Sequence, residues 1–367
     1  MDILYVITDL ELGGVPLHLH RLTRAMRARG RGCAVVSLKP LGPVSEMLCA
    51  DGVPVFTCEG RGGWDFRVVK RLADIIADTR PGLIHSLLFH ANFASRRAAR
   101  SAGFPAKRVV CEIQTVEVER RWHLLVDRWT GGSCRCFVGN SPSVIEHLAH
   151  HARIPRDRLR LVRGGIDPEE VRAARAIDKR TLVAGIDPDA PIVLWVGRLD
   201  PVKGLTFLVR AFREVAEKTS AHLVLVGGGP LKATLEREVR RTALLGRVHL
   251  LGPRRDVPSL LKTADVFAFP SRTEGLPNAL LEAMAAACPI VTTDVPGCRD
   301  LIEHERTGLV VPYDDTPKLT AAVLQLLAHP TFSAQMGKAA AVEVERNWHV
   351  ERTWEGYSAL YDDILRG

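Results

Sequence analysis

Between Ser271 and Gly297 the chain reads SRTEGLPNALLEAMAAACPIVTTDVPG, with two carboxylates, Glu274 and Glu282, in unlike settings. Glu274 stands in a loop bent by Gly275 and Pro277. Glu282 falls inside a helical period, between a Leu-Leu pair and AMAAAC. An ionised carboxylate on so apolar a helix is costly unless a donor meets it, and two adjacent sugar hydroxyls would do so. Pro277 suits a first helical turn because it has no N–H to waste there, which leaves the N–H groups of Asn278, Ala279 and Leu280 at the positive end of the helix. The stretch can therefore hold a sugar at one glutamate, a ribose at the other and phosphates on the helix terminus between them. An ion pair for one of the acids is the plainer reading, but it leaves the loop, the proline and both acids together unexplained.

Two further strand-to-helix junctions suit an anion. In TDLELGGVPLHLHRL, Gly13 and Gly14 let the backbone approach a ligand and point N–H groups at it. In WVGRLDPVKGLTFLVRAF, Arg198 ends an apolar strand. Lys203 lies near the start of the next helix, where the macrodipole disfavours a cation and a bound anion would reverse that penalty.

These loops need elements to carry them. Short β-rich runs (ILYVITD, CAVVSL, VPVF, GLIHSLL, RVVCEI, CFVGNS) alternate with amphipathic segments, which is the rhythm of a parallel sheet covered by helices. After RGGIDPEEVRAARAIDKRTLVAGIDPDAP the rhythm restarts with IVLWVG, HLVLVGG, RVHLLG, VFAFPS and IVTTD. The fold expected is α/β with two Rossmann-like doubly wound domains: residues 1–166, a linker at 167–187, and residues 188–349, with a last helix at about 350–367 that packs back on the first domain. In open α/β sheets ligands sit beyond the carboxyl ends of the strands, so a central cleft faced by both sheets is the expected site.

A chain of 367 residues favours two domains. Its composition, 46% apolar and 25% charged, is that of a globular protein without a bilayer-spanning run. MDILYVITDL has no basic region ahead of its apolar stretch and reads as a first strand, so the expected location is the cytoplasm. The eight scattered cysteines form no CxxC pair and read as reduced, mostly buried thiols. Residues 1–166 hold 25 Lys and Arg against 15 Asp and Glu, while the remainder is close to neutral. That surplus suggests an anionic or lipid-linked acceptor and peripheral association with the inner membrane face; arginine used simply for solvated helix faces explains it equally.

VGRLDPVKG, LVLVGGGP, LLGPRRDVPSLL, ADVFAFPSRTEGLPNALLEAMAAACPIVTTDVPG and TGLVVPYDD resemble, in order, the donor domain of the family 4 retaining glycosyltransferases of GT-B type. Glu274 and Glu282 match that family's E-x7-E motif. The resemblance is dense over about residues 188–330 and loose before them, through the GG loop and PGLIHSLLFHANFASR. It implies a nucleotide-diphosphate sugar as the donor substrate, with uridine as the family's default base and guanosine as the alternative, and transfer with retention of configuration into a polysaccharide, glycolipid or other glycoconjugate. Arg198 and Lys203 would neutralise the diphosphate and Glu274 would contact the donor sugar, the three forming the catalytic set. Glu282 would bind the ribose, and Leu276, Pro277, Asn278 and Ala279 would complete the donor-binding site. Gly13 and Gly14 would close the site from the other domain, and the segment from Leu251 through Gly252, Pro253 and Arg254 would lie beside the base. Neither a cofactor nor a metal is expected: Asp187-Pro188-Asp189 has the spacing of a metal-binding DxD but lies ahead of a strand, far in sequence from the phosphate loops.

The chain departs from its relatives after the fifth strand. Many place a histidine there, where CEIQTVEVERRWH offers Gln114 and Thr115. His90, in LLFHAN, is the candidate acceptor-side contact. Among other classes, a sugar-nucleotide epimerase or a glycogen-phosphorylase-like enzyme could share the architecture, though the E-x7-E segment argues for transfer. No G-x-G-x-x-G follows the first strand, which disfavours a nicotinamide cofactor. Nucleic acid would suit the basic half, but no aromatic platform or helix-turn-helix spacing accompanies it.

Overall fold

The computed structural model describes residues 1–61, 65–116, 122–242 and 244–367. The chain divides into two compact units, Met1–Gly164 with Arg352–Gly367, and Gly165–Glu351. The first carries a parallel sheet of seven strands: β1 (Ile3–Ile7), β2 (Cys33–Ser37), β3 (Val55–Thr57), β4 (Leu83–Leu87), β5 (Val109–Ile113), β6 (Cys136–Gly139) and β7 (Leu159–Leu161), in the order β3-β2-β1-β4-β5-β6-β7. The second carries six: β8 (Ile192–Val196), β9 (His222–Val226), β10 (Val248–Gly252), β11 (Val266–Phe269), β12 (Ile290–Thr293) and β13 (Leu309–Val311), in the order β10-β9-β8-β11-β12-β13.

Central strands such as Ile3–Ile7 and Ile192–Val196 are buried along their whole length, as helices on both faces require, and so read as unbroken apolar runs. The helix Leu205–Lys218 shows the complementary pattern, turning Leu205, Phe207, Leu208, Val209, Ala211, Phe212 and Val215 into the core. All eight cysteines carry free thiols, and Cys49 alone is exposed. Among the described residues no helix is long and apolar enough to cross a membrane.

Residues 167–187, read from sequence as a linker, are folded into the second unit. They carry the short helices Pro168–Ala173 and Lys179–Leu182 and bury Val171, Leu182, Val183 and Ile186 in its core. The physical reason is apolar content: TLVAGI presents side chains that a solvated connector would leave in water.

The last helix, Val350–Arg366, belongs to the first unit from Arg352 onward. Its Tyr357 and Tyr361 are fully buried. Tyr361 Oη lies 2.6 Å from His85 Nδ1, and Tyr357 donates to Glu112 Oε1 at 2.9 Å. Behind them His85 Nε2 stands at ion-pair distance, 2.9 Å, from Glu112 Oε2, with neither side chain exposed. Gln114 also donates to Glu112 Oε1, at 2.6 Å. Burial pushes the Glu112 carboxyl up, and the hydrogen bond and charge of His85 outweigh it, leaving the group below its ordinary value of 4.5.

Candidate active site

In each sheet the chain reverses its direction of strand addition once, and a doubly wound sheet opens a crevice at that point. In the second unit the switch lies between β8 and β11. The loops that leave those two strands carry Arg198 to Lys203 and Ser271 to Pro277.

The loop after β8 ends in a single 3-10 turn, Pro201–Lys203, capped by the Asp200 carboxylate, which accepts from the Val202 N–H at 3.3 Å. Gly204 follows at φ 66°, and a Cβ there would lie 1.9 Å from the carbonyl oxygen of Pro270. Only glycine lets this turn close on the neighbouring loop. The Arg272 N–H donates to the Val202 carbonyl at 2.8 Å and fastens the two loops together. Lys203 therefore sits before, not in, the helix Leu205–Lys218, and its ammonium is answered by a side chain: Nζ lies 2.6 Å from Glu274 Oε1. The pair is well shielded, with 23% of the lysine and 9% of the glutamate side chain exposed. Phe269 lies beneath, its ring centroid 5.7 Å from Nζ.

Arg198 is held loosely. Its side chain is 74% exposed, with Nε 3.8 Å from Asp200 Oδ2. Leu276 packs on the core and Pro277 caps the helix Asn278–Ala285, which has no side-chain cap. The sequence-based expectation of three open N–H groups needs correction, because Leu280 N–H donates to the Pro277 carbonyl at 3.0 Å. Asn278 and Ala279 lead the helix, the first exposed and the second half-buried. Glu282 is half-buried one turn further on.

Gly252 ends β10 at φ 73°, where the register with β9 shifts, and Pro253 packs beside Gly228. Arg254 is taken up by Asp256 through two hydrogen bonds, 2.8 and 2.5 Å. Asp187 accepts from the Asp189 N–H at 3.0 Å in a local turn, and no group of three or more metal-ligating side chains occurs among the described residues.

In the first unit the switch lies between β1 and β4. Gly13 caps the helix Gly14–Ala28 with extended backbone, φ −171°, and no side-chain cap. A methyl group on Gly14 would meet nothing within 4 Å, so neither backbone geometry nor packing within the unit demands that glycine. Two cavities open at the same switch. One, of about 230 Å³, is lined by Thr8, Asp9, His90, Gln114, His123 and Asp127 among others. The other, of about 450 Å³, is walled chiefly by apolar side chains. His90 and Thr8 line both. Beyond Asp127 the guanidinium of Arg96 completes a fully buried pair at 2.6 Å.

Several of these groups escaped sequence reading. His123, on the helix Trp122–Thr130, stacks on Phe89 with ring centroids 3.7 Å apart and stands 5.8 Å from His90. Glu112 lies inside a strand run, and nothing local marks it as the acceptor for Gln114 and Tyr357. Glu117 to Arg121, within CEIQTVEVERRWH, lie outside the described residues.

Two Rossmann-like parallel sheets, each doubly wound about one switch point, make this a protein of the GT-B type. The chain belongs to family 4 of the glycosyltransferases. The profile described as "Glycosyltransferase Family 4" matches residues 12–170, and that described as "Glycosyl transferases group 1" matches residues 190–329. The chain is 30% identical to the GDP-mannose-dependent alpha-(1-6)-phosphatidylinositol monomannoside mannosyltransferase of Mycolicibacterium smegmatis, over 73% of this chain and 72% of that one. It is 32% identical to the alpha-D-kanosaminyltransferase of Streptomyces kanamyceticus, over 49% of this chain and 47% of the relative. With several such relatives the match spans between about half and two thirds of their length, 47 to 63%. Among solved structures the fold is similar to that of Anabaena HepE in complex with UDP, at a TM-score of 0.85 and 19% identity, over 99% of this chain and all of that one.

Proposed function

We propose that this chain is a glycosyltransferase that moves a sugar from a UDP-sugar to an acceptor with retention of anomeric configuration and without a metal ion, in the building of a polysaccharide, glycolipid or other glycoconjugate. The observation that carries the reading is the Lys203–Glu274 pair, which spans the switch point of the second unit beside the uncapped helix at Pro277. A cation and an acid held together at such a point offer one group for a leaving diphosphate and one for a sugar that gains positive character.

In this reading Lys203, Arg198 and the N–H groups leading the helix Asn278–Ala285 hold the diphosphate. Each charge-assisted contact contributes about 1.5 to 3 kcal/mol. Glu282 takes the ribose hydroxyls, and Glu274 faces the donor sugar. The bond from the anomeric carbon to the phosphate oxygen breaks as the acceptor oxygen bonds the same face, and the departing phosphate oxygen takes the acceptor's proton. The first unit, with His90 at its switch point, serves the acceptor.

The names of similar proteins include a GDP-mannose-dependent and a UDP-Gal enzyme, so the test carries both bases. The protein is incubated with UDP-, GDP- and ADP-sugars while donor hydrolysis and thermal stabilisation are followed, with and without chelator. Hydrolysis of a UDP-sugar, unaffected by chelator, is expected. Preference for a GDP-sugar would overturn the base, loss of turnover in chelator restored by manganese would overturn metal independence, and inertness to every donor would overturn the transferase reading.

A further inference from the structure

The larger cavity of the first unit, about 450 Å³, falls within the range of small-molecule sites and is built almost wholly of apolar walls. Phe89, Phe93, Trp122, Val126 and Trp129 contribute, from the helices Phe89–Ser101 and Trp122–Thr130, with Val68 from the helix Phe66–Thr79 opposite. Its charged lining groups are already paired: Lys39 Nζ lies 3.2 Å from Asp9, and Asp65 receives Arg67 Nε at 2.9 Å. Among the described residues, the two charged groups of the lining, Lys39 and Asp65, each have a partner of opposite sign. One polar atom is unsatisfied, the buried Thr8 Oγ1, which has no hydrogen-bond partner among the described residues and stands on the wall shared with the smaller, polar cavity.

The junction that presents this wall is strained. Leu88 lies at φ 75°, ψ 157°, a region that side chains other than glycine's rarely adopt. It is held there by its N–H to the Glu112 carbonyl at 3.1 Å and by its own carbonyl, which accepts from the Asn92 N–H at 2.9 Å. The turn sets Phe89 and His90 side by side where the two cavities meet.

The cavity's rim continues onto the surface. Trp122, Leu125 and Trp129 fall at i, i+3 and i+7 on one helix face, and they are 41, 53 and 83% exposed. An exposed tryptophan on an apolar stripe is at home in a bilayer interface. Arg128 is exposed on the same helix, and the first 166 residues hold the chain's whole cationic surplus.

We infer that the apolar cavity seats an alkyl or polyisoprenyl chain carried by the acceptor, with the acceptor's hydroxyl-bearing end in the adjoining polar cavity near Thr8 and His90. The surface stripe favours a membrane lipid over a rigid aromatic aglycone as the source of that chain. The inference rests on the transferase reading for the word acceptor alone; occupancy of the cavity is measurable without donor.

The test uses full-length protein and octyl, decyl and dodecyl glucosides below their critical micelle concentrations, with an end-brominated dodecyl chain as quencher of tryptophan emission. Affinity should rise about fourfold per methylene in the wild type. Val126→Phe, which fills the cavity, should abolish that slope while circular dichroism and the unfolding midpoint stay as in wild type. Leu125→Ser, on the exposed stripe but outside the cavity lining, should keep the slope yet weaken sedimentation with phosphatidylglycerol vesicles at least threefold. A slope of zero in the wild type, an equal slope in Val126→Phe, or tighter binding of naphthyl glucoside than of dodecyl glucoside would overturn the inference. Donor hydrolysis, assayed separately, tells the two readings apart: hydrolysis without a slope sinks only the chain site, and a slope without hydrolysis sinks only the transferase.

Discussion

Before any donor binds, Lys203 already has an anion. Its ammonium is 2.6 Å from Glu274. At an effective dielectric of about 20 the bare attraction at that distance is about 6 kcal/mol, and desolvation of both groups offsets most of it, leaving a net coupling of about 1 to 3 kcal/mol. The two halves of the pair should differ when cut. Lys203→Met keeps the stem over Phe269 but strands a carboxylate that is only 9% exposed, at a cost of about 2 to 3 kcal/mol in stability. Glu274→Gln leaves a lysine that water can partly reach, with 23% of its side chain exposed, and should cost about 1 kcal/mol. Binding of UDP should divide the other way. Lys203→Met removes a charge-assisted contact and should weaken UDP roughly 10- to 150-fold. Glu274→Gln frees the lysine and removes a negative neighbour of the phosphates, so UDP should bind about 3- to 10-fold tighter while transfer falls by about 100-fold or more. Calorimetric titration of UDP into both variants, beside urea unfolding, reads all four quantities. A Glu274→Gln protein that keeps its fold yet binds UDP as poorly as Lys203→Met would show the pair to be a structural strut and the assignment of the acid to the sugar to be wrong.

Other outcomes follow from neighbouring geometry. Gly14→Ala meets open space in the unit itself, so unfolding stability should hold or rise by about 0.5 to 1 kcal/mol; a simultaneous loss of transfer would locate a ligand at that methyl, and unchanged transfer would remove Gly14 from the site. Tyr357→Phe takes a hydrogen bond from the buried Glu112 carboxylate and should cost about 1 to 3 kcal/mol in the first unit's unfolding, an effect that Tyr357→Phe in a Glu112→Gln background should not repeat. Because Glu112 is held below its ordinary value of 4.5 when folded, its contribution is present at neutral pH and should fade as acid takes the pH below that value. Burial, with the charge of His222, lowers His249 to about 4, so stability should fall as pH drops from about 6.5 toward 4 as the imidazole charges, and His249→Asn should flatten that part of the melting curve.

The parts of this molecule that were legible in its sequence are those whose signal is local. β8 reads as a strand because IVLWV is an unbroken apolar run, and the helix at Asn278 reads as one because Pro277 and the following Leu, Ala and Met state its start and its buried face. Lys203 and Glu274 were each legible as chemical groups. Their pairing was not, because it joins positions 71 residues apart through a contact between two loops that only Gly204 permits. For the same reason Glu112 passed as one more residue of an apolar strand, since its partners come from β4, from the loop after β5 and from the last helix. The misread linker is a different failure. Its Pro and Gly punctuation reads as a connector, while TLVAGI, six residues of mostly apolar chain, carries the opposite message.

One topology puts opposite chemistry at its two switch points. Between β8 and β11 the strand ends give way to turns that leave an exposed arginine, an uncapped helix terminus, and a lysine and a glutamate whose attraction is strengthened by the loops that shield them. Between β1 and β4 the same topology hands its crevice to Phe89, Trp122 and Val126, while the charges nearby, Lys39 with Asp9 and Arg96 with Asp127, are spent on each other. A site of the first kind would hold a ligand through its phosphates and be sensitive to salt; one of the second kind would hold a ligand through the area it removes from water and be sensitive to chain length. The difference lies in the residues that follow the strands, Phe89 after β4 and Trp122 and Val126 after β5 among them, so exchanging the apolar wall at Val126 should alter which acceptor is taken while UDP affinity stays as in wild type.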